Sequence, residues 1–271
     1  MSHLEDTKET PWIDAWIRWE RDSKEIYVDD DEEEIDNQEL HPTDTFSYCF
    51  DVGKNEQINI TLEGFELECE EVWSSTGLTI WKSSQHLCQY LIDNKEMLEG
   101  DCHVLEVGSG LGKCGILAHL LSTKGEGLTY LTDGDTETLK QLRKNVKENV
   151  IDDHDNLSCH QLLWGKDTAQ EFLTQQSIQN EHLFDVILGS DLIYVTSVIS
   201  PLFETVKTMI QPESGVFVMA HCARRRGNEV HVDMVLDEAE KQGFTYKVVN
   251  EEEDISVFEF RRNLEIIEIT A

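Results

Sequence analysis

The stretch HVLEVGSGLGKCG, residues 103–115, joins a hydrophobic run to a cluster of glycines. A strand followed by a glycine-rich turn and a helix is typical of folds that bind nucleotide-type cofactors, because glycine lets a ligand lie against bare backbone. The glycines here, Gly108, Gly110 and Gly112, have the spacing Gly-x-Gly-x-Gly and form what we call the glycine turn. The third glycine of the dinucleotide fingerprint would fall at Lys113, so that fingerprint is not matched.

An acidic residue, Glu106, precedes the glycine turn by two positions. A carboxylate there would repel the anionic pyrophosphate of a dinucleotide and would favour a ligand with cationic groups. S-adenosyl-L-methionine carries an ammonium and a sulfonium, so we expect it as the cofactor, with the glycines giving its nucleoside and methionine portions access to the backbone. The alternative is that Glu106 accepts hydrogen bonds from local backbone amides.

Three more residues stand where a nucleoside could be contacted. Asp133 ends the strand-like segment of YLTDGD, and an acid there can accept hydrogen bonds from both ribose hydroxyls. Alternatively Asp133 caps the next helix, although Asp135 is better placed for that role. Trp164 is expected to cover the adenine face. Trp81 opens a predicted helix that precedes the strand leading into the glycine turn. For both tryptophans, the alternative interpretation is a place in the hydrophobic core.

From Cys102 onward, strand-like and helix-like segments alternate. This pattern predicts an α/β fold with a doubly wound, Rossmann-like sheet. The last two strands are joined by a short acidic link, so they can pair antiparallel. The strand-like segments are CHVLEVG, GLTYLTD, LSCHQLLW, LFDVILGSD, GVFVMAH, FTYKVVN and ISVFEFRR, with helical stretches over 111–122, 136–150, 167–175, 196–210 and 228–242.

The start of the chain differs from this core. Residues 1–44 are predicted to be an acidic, tryptophan-containing extension, partly disordered because the run DDDEEEID repels itself. Trp12, Trp16 and Trp19 share one face of a predicted helix, which either packs on the domain or docks a partner or substrate. The main domain is predicted over 45–271, with a β-hairpin and helix over 45–100 and the Rossmann-like core over 101–263.

Composition narrows the range of partners. The 271 residues carry 55 acids and 22 lysines and arginines, a formal net charge of -33. Such a field repels phosphates and anionic lipids, so we expect no nucleic acid and no membrane as partner, and we expect attraction to basic proteins. The 7 cysteines form no CxxC pair, which favours reduced thiols in a cytoplasmic or nuclear protein and gives no sign of a metal site.

Five motifs in order carry a family resemblance: TGLTIW, VLEVGSGLG, LTDGD, LLWG and FDVILGSDLIY. Over residues 45–262 the chain resembles the seven-β-strand methyltransferases of methyltransferase family 16. These enzymes modify lysines in non-histone proteins such as Hsp70-type chaperones, elongation factors and calmodulin, and the closest likeness is to the chaperone-lysine group. The tetrad DLIY is the most specific motif, because the family carries Asp-x-x-Tyr at this point.

The resemblance implies a class I methyltransferase domain with a seven-stranded sheet and a reversed last strand. It also implies the activity of an S-adenosyl-L-methionine-dependent protein-lysine N-methyltransferase. Asp191 and Tyr194 match the Asp-x-x-Tyr pair near the transferred methyl and are the expected catalytic residues. The donor contacts that the resemblance implies are Trp81, Gly108, Ser109, Gly110, Asp133, Trp164 and Ser190. We add Glu106 to this set because of its charge.

Methyl transfer to an amine is an in-line displacement, so the enzyme mainly supplies proximity and orientation. A lysine with a pKa near 10.4 must also lose its proton, which costs about 4 kcal/mol at about pH 7.4. A carboxylate at Asp191 favours the protonated amine, so we expect it to attract and orient the lysine more than to act as a base. Tyr194 can hydrogen-bond the nitrogen. Alternatively, Asp191 caps a loop and Tyr194 packs in the core.

Two other functions remain compatible with the sequence. One is methyl transfer to a protein histidine, a protein arginine or a small molecule; the other is a non-catalytic interaction module that kept the fold. The expectation from the sequence is therefore a monomeric enzyme, cytoplasmic and also nuclear, that acts on a protein with a basic, lysine-bearing surface, such as a chaperone or a translation factor.

Overall fold

A computed structural model defines the fold of the chain. The tryptophans Trp12, Trp16 and Trp19 and the acidic run DDDEEEID lie outside the described residues. Within the described part, no helix is long and apolar enough to cross a membrane. The structure describes residues 42–53, 56–67, 75–122, 125–150, 156–179, 182–222, 230–252 and 254–263.

The described residues form nine strands and six α-helices. The strands are β1 (Asp44–Gly53), β2 (Glu56–Gly64), β3 (Val104–Val107), β4 (Thr129–Asp133), β5 (Leu157–Gln161), β6 (Val186–Ser190), β7 (Val216–Cys222), β8 (Phe244–Glu252) and β9 (Ile255–Arg262). The helices are α1 (Ser83–Asp93), α2 (Lys113–Leu121), α3 (Thr136–Asn149), α4 (Lys166–Gln175), α5 (Ile199–Met209) and α6 (Val232–Lys241).

Seven strands form one sheet in the order β5-β4-β3-β6-β7-β9-β8. The strands from β3 to β7 pair parallel, whereas β9 runs antiparallel to both β7 and β8. The remaining two strands, β1 and β2, pair antiparallel as a separate hairpin. The predicted Rossmann-like fold with a seven-stranded sheet, a reversed last strand and an N-terminal hairpin is therefore confirmed.

The sheet separates two apolar layers, because successive side chains of a strand point to opposite faces. On β3, Val104 packs in the layer formed with α1, α2, α3 and the hairpin, and Leu105 packs in the layer formed with α4, α5 and α6. Both side chains are fully buried, as expected for a central parallel strand. Glu106 comes next on the strand and is buried beneath α2, which makes it an acid in an apolar layer.

The hairpin is attached to the core by two asparagines of α3. Asn145 accepts from the Glu63 N–H at 2.9 Å and donates to the Glu63 carbonyl at 3.1 Å, so its amide imitates a neighbouring strand. Asn149 pairs with the backbone of Thr61 in the same way. Asn145 also donates to the carbonyl of Leu111, at 3.1 Å. One buried amide therefore joins the hairpin, α3 and the glycine turn.

The segment before α1 departs from the expected helix. Trp81 was predicted to open the helix, but α1 begins at Ser83, and Thr76–Leu78 forms a single 3₁₀ turn. The carbonyl of Trp81 accepts from both the N–H and the hydroxyl of Ser84, at 3.2 and 2.7 Å. Trp81 therefore lies just outside the helix, in an irregular segment that faces the glycine turn.

Candidate active site

A cavity of about 240 Å³ opens at the carboxyl ends of β3, β4 and β6. The strand order reverses between β3 and β6, and ligands of doubly wound sheets bind at such a reversal. All ten residues expected at the site line this cavity, so the fold brings them together, while their individual roles stay predictions. These residues are Trp81, Glu106, Gly108, Ser109, Gly110, Asp133, Trp164, Ser190, Asp191 and Tyr194.

The glycine turn needs its glycines for two reasons. Gly108, Gly110 and Gly112 have φ values of 62°, 54° and 91°, in the left-handed region that side chains rarely adopt. A Cβ atom on Gly110 would stand 3.1 Å from the carbonyl oxygen of Gly77, and one on Gly108 would meet the side chain of Leu192 at 2.7 Å. The turn is therefore packed closely between two segments that also line the cavity.

Ser109 holds the glycine turn to the sheet. Its N–H donates to the carbonyl of Thr132 at 2.8 Å, and the N–H of Thr132 donates to its hydroxyl oxygen at 3.0 Å. The same hydroxyl donates to the Glu106 carbonyl at 3.3 Å. Ser109 thus ties the turn to β3 and β4, which is a structural contribution besides the predicted donor contact.

The carboxyl group of Glu106 accepts from the N–H of Gly115 at 3.0 Å, as its alternative interpretation proposed, and it also lines the cavity. Burial raises the pKa of Glu106 to about 8, against the opposing effect of hydrogen bonds with Ser109 and Gly115. Burial therefore favours the neutral form of Glu106 in the free protein. In its neutral form Glu106 would not repel a pyrophosphate, so the charge argument from the sequence depends on the protonation state of this residue.

Lys113 occupies the position of the missing dinucleotide glycine, and it is 3% exposed. Its Nζ lies 2.9 Å from Oε1 of Gln85 and 3.9 Å from the centre of the Tyr48 ring. Burial lowers the pKa of Lys113. The side chain therefore joins α2 to α1 and the hairpin, three elements that surround the glycine turn.

Gly115, and not the residue at position 113, allows the close contact of α2 with β3 and β4. We did not identify this role of Gly115 from the sequence. A Cβ atom on Gly115 would overlap the side chains of Leu131 and Glu106. The available signal was a glycine in the first turn of a helix, where that residue is otherwise unfavourable. Close approach of α2 to β3 and β4 depends on this position.

Asp133 ends β4 with both carboxylate oxygens engaged by backbone. The N–H of Gly110 donates to Oδ2 and the N–H of Asp135 donates to Oδ1, each at 3.0 Å. Each oxygen keeps a second lone pair for a ribose hydroxyl. Burial raises the pKa of Asp133 to about 6, and these hydrogen bonds oppose the increase. Asp135 caps α3 by accepting from the Thr138 N–H at 2.7 Å, which confirms it as the cap.

Asp191 joins three elements through its carboxylate. Oδ2 accepts from the N–H of Ser83, the first residue of α1, and Oδ1 accepts from the N–H of Cys222 at the end of β7, each at 3.3 Å. Its own N–H donates to the Ala220 carbonyl at 2.9 Å, with φ at 55° and the residue 4% exposed. These backbone contacts match the alternative interpretation of Asp191 as a cap. Asp191 also lines the cavity, so the predicted catalytic role stays a prediction that is compatible with its position.

Three aromatic residues border the cavity, and all three are half-buried. The rings of Trp81 and Tyr194 meet edge to face with centroids 5.9 Å apart, and the indole N–H of Trp81 donates to the Thr76 carbonyl at 2.9 Å. The ring of Trp164 lies beside Gly108, where a Cβ would be 3.4 Å from it. These rings give the cavity the flat apolar walls that an adenine and a lysine stem require.

The chemistry of the lining fits a cationic nucleoside. Glu106, Asp133, Asp135 and Asp191 place four carboxyl groups around the cavity, and Lys113 is the basic residue among the described lining residues. A cationic ligand would favour the ionised form of these carboxyl groups. In the described part of the chain, no group of three or more His, Cys, Asp or Glu residues could hold a metal ion.

Comparison with known proteins identifies the family of this chain. The profile of a family described as lysine methyltransferase matches residues 62–238. EEF1A lysine methyltransferase 3 of Xenopus tropicalis is 29% identical over 68% of this chain and 74% of its own length. Protein-lysine N-methyltransferase EFM3 of Chaetomium thermophilum is 28% identical over 63% of this chain, which spans 49% of that relative.

A solved structure shares the fold. It is described as a putative SAM-dependent methyltransferase from Streptococcus mutans, with a TM-score of 0.52 and 11% sequence identity, covering 79% of this chain and 55% of that chain. The sequence expectations of an S-adenosyl-L-methionine-dependent enzyme and of protein-lysine methylation are confirmed at the level of the family. By the match of its sequence over most of the described core, this chain belongs to the lysine methyltransferase family.

Proposed function

We propose that this protein transfers a methyl group from S-adenosyl-L-methionine to the side-chain amine of a lysine in a non-histone protein. The observation that carries the proposal is that Asp191 and Tyr194 stand in the wall of the same acidic cavity that the glycine turn closes. Donor and acceptor groups can therefore meet in one cavity. Membership of the lysine methyltransferase family supports lysine as the acceptor.

The donor side of the cavity is assigned to residues at the strand ends. Bound S-adenosyl-L-methionine supplies a methyl group on a cationic sulfur. Asp133 accepts the ribose hydroxyls, Trp164 covers the adenine, and Glu106 provides a buried carboxyl group for the cationic end. The backbone of the glycine turn approaches the ligand because no Cβ intervenes. Further donor contacts are assigned to Trp81, Gly108, Ser109, Gly110 and Ser190.

The acceptor side is assigned to Asp191 and Tyr194. Asp191 attracts the lysine ammonium, and its two backbone hydrogen bonds fix the direction of the carboxylate. Tyr194 holds the nitrogen by a hydrogen bond while its ring packs against Trp81. Burial in this cavity lowers the pKa of the incoming amine, so the ammonium gives its proton to solvent before transfer and the nitrogen lone pair becomes available for attack. Transfer then depends on alignment of the nitrogen with the methyl group.

The proposed partner is a protein with a basic, lysine-bearing surface. The formal net charge of -33 supports this choice, because opposite charge accelerates encounter. EEF1A appears in the name of the Xenopus relative, which makes it the first candidate substrate. An Hsp70-type chaperone, which the family resemblance of the sequence implies, is the second. We propose a monomer in the cytoplasm and nucleus. The six described cysteines are all free thiols, which supports a reducing compartment.

Purified enzyme with labelled donor and each candidate substrate tests the assigned roles. We expect label on lysine, and we expect Asp191→Asn to lower kcat by at least about 100-fold, within the range for an orienting group. Asparagine keeps one acceptor oxygen for the backbone, so donor binding should change far less than kcat. Full activity of Asp191→Asn, or label on histidine or arginine, would contradict the proposal.

A further inference from the structure

One wall of the cavity is formed by residues 75–81, which we call the strap. The strap crosses the glycine turn, with the carbonyl of Gly77 directed at Gly110. The carbonyl of Leu78 accepts from the N–H of Phe65 at 2.9 Å, which fixes the middle of the strap to the chain that follows the hairpin. Its end is fixed by the start of α1, so the remaining question is what holds its beginning.

Ser75, the first residue of the strap, is attached to the start of α3. Its hydroxyl donates to Oδ1 of Asp135 at 3.0 Å and lies 2.7 Å from the hydroxyl oxygen of Thr138. These contacts span 60 and 63 residues of sequence. Ser75 is 8% exposed, so its hydroxyl is largely withdrawn from water and relies on these partners.

The attachment continues to the glycine turn through a series of hydrogen bonds. Asp135 donates its N–H to Oδ1 of Asp133, and Gly110 donates its N–H to Oδ2 of the same carboxylate, each at 3.0 Å. The carbonyl of Gly77 returns to within van der Waals reach of Gly110. Strap, β4 end and glycine turn therefore form a closed ring of contacts, and Ser75 is the member that connects the strap to it.

Packing holds the strap at one distance from α3. A Cβ atom on Gly77 would stand 2.6 Å from the side chain of Thr138, which is fully buried. The strap therefore lies directly on the first turn of α3, where a displaced Ser75 would also open the wall of the cavity. Thr76, next to Ser75, accepts from the Trp81 indole, so a shift of the strap would reach the aromatic wall.

We propose that Ser75 is a positioning residue for the methyl donor. Its hydroxyl, acting through Asp135, fixes the strap against the glycine turn and thereby keeps the cavity in the shape that binds S-adenosyl-L-methionine. The proposal rests on donor binding in this cavity and is independent of which protein carries the methylated lysine. A failure to find the substrate therefore leaves it testable.

The test measures donor affinity by calorimetry, without any acceptor. Ser75→Ala removes the hydroxyl, whereas Asp135→Ser keeps an N-cap oxygen for α3 but is too short to reach Ser75. Each should weaken binding of S-adenosyl-L-methionine about fivefold or more, the equivalent of one hydrogen bond. Asp135→Asn keeps an acceptor at the original reach and should restore most of the affinity. Ser47→Ala, the same change on an exposed β1 position, is the matched control.

The double variant Ser75→Ala/Asp135→Ser separates a shared role from two independent ones. A common attachment predicts that its donor affinity is no weaker than that of the weaker single variant. In steady-state assays the loss should appear in the donor KM rather than in kcat. Wild-type donor affinity in Ser75→Ala, or losses that multiply in the double variant, would overturn the proposal. Thermal midpoints close to wild type for Ser75→Ala exclude a general loss of folding.

Discussion

Single carboxyl groups in this cavity combine a structural contact with a proposed chemical role. Asp191 illustrates this, because both of its oxygens accept backbone N–H groups from Ser83 and Cys222 while the residue lines the cavity. Removal of the whole side chain would take this acceptor from the buried N–H of Ser83 and the part-buried N–H of Cys222, and an unsatisfied buried N–H costs about 1–3 kcal/mol. Loss of activity in an alanine variant would therefore mix two causes, and asparagine is the more informative replacement.

Glu106 allows a pH test at the residue scale. Its pKa is raised from 4.5 to about 8 in the folded protein, so the folded state binds more protons than the unfolded state between these values. The resulting stability is present at low pH and is lost as pH rises through about 8. Glu106→Gln cannot ionise, so it should lose less stability than wild type between pH 5 and 8.5, by a few kcal/mol at most.

Thermal unfolding at a series of pH values, without donor, measures this difference. Asp133, with a pKa raised to about 6, contributes in the same direction in both proteins, and its charge is also one of the causes of the raised pKa of Glu106. Saturating donor should reduce the difference, because a nearby cation favours the ionised carboxyl group. Parallel pH curves for wild type and Glu106→Gln would show that Glu106 does not carry the expected raised pKa.

At the scale of elements, the cavity depends on how closely the glycine turn and the strap approach each other. Gly110→Ala should test this, because a methyl group would push against the Gly77 carbonyl at 3.1 Å. The left-handed backbone adds about 1–2 kcal/mol of strain for any L-residue. We therefore expect a lower thermal midpoint for Gly110→Ala. We also expect a loss of donor affinity of about tenfold or more, which corresponds to about 1.4 kcal/mol of binding free energy.

Gly53→Ala is the matched control for Gly110→Ala. Gly53 also has a left-handed φ, at 89°, but nothing stands within 4 Å of its missing Cβ. Its alanine variant should show the backbone strain alone and leave donor affinity at the wild-type value. Equal donor affinity in Gly110→Ala and wild type would show that the turn and the strap can separate without consequence for binding.

The elements themselves were largely predictable from sequence, and so was the gathering of site residues. Parallel strands end at one edge of a sheet, so Asp133, Trp164 and Ser190, each at or just after a strand end, had to converge near the glycine turn. The sequence pattern that marks each of these strand ends lies within a few residues of the site residue itself. The start of α1 was predicted two residues too early, because Trp81 fits the spacing of apolar residues in the helix. In the structure its carbonyl accepts from the N–H and the hydroxyl of Ser84, three residues on, as in a turn that precedes a helix.

Features that depend on distant contacts were beyond sequence reasoning. Ser75 reaches Asp135 across 60 residues, and no local pattern marks it as part of the site. The raised pKa of Glu106 follows from its burial beneath α2, which the residue type alone does not reveal. Gly115 is similar, since only the distance between helix and sheet shows that a methyl group would not fit.

At the scale of the whole molecule, charge is the property that bears on substrate choice. A net charge of -33 predicts that a basic protein substrate is attracted over long range. Raising the ionic strength from about 0.1 M to 1 M shortens the Debye length from about 10 Å to about 3 Å. We expect kcat/KM for the protein substrate to fall about tenfold or more, with kcat changing less.

Donor affinity measured over the same salt series is the internal control for this prediction. The carboxyl groups that line the cavity are buried or half-buried, so salt screens them less than surface charges. A kcat/KM that does not respond to salt would show that surface charge plays no part in recognition. The acidic surface would then contribute to the solubility of the protein and not to substrate recognition.

The central claim is that this cavity methylates lysine in another protein. It is tested most directly by incubating the enzyme with S-adenosyl-L-methionine labelled in its methyl group and a lysate, and by identifying the labelled amino acid by mass spectrometry. We predict label on the side-chain nitrogen of lysine in a protein, and loss of that label with Asp191→Asn. Label on histidine, on arginine or on a small molecule, or no label from an enzyme that binds the donor, would contradict the account.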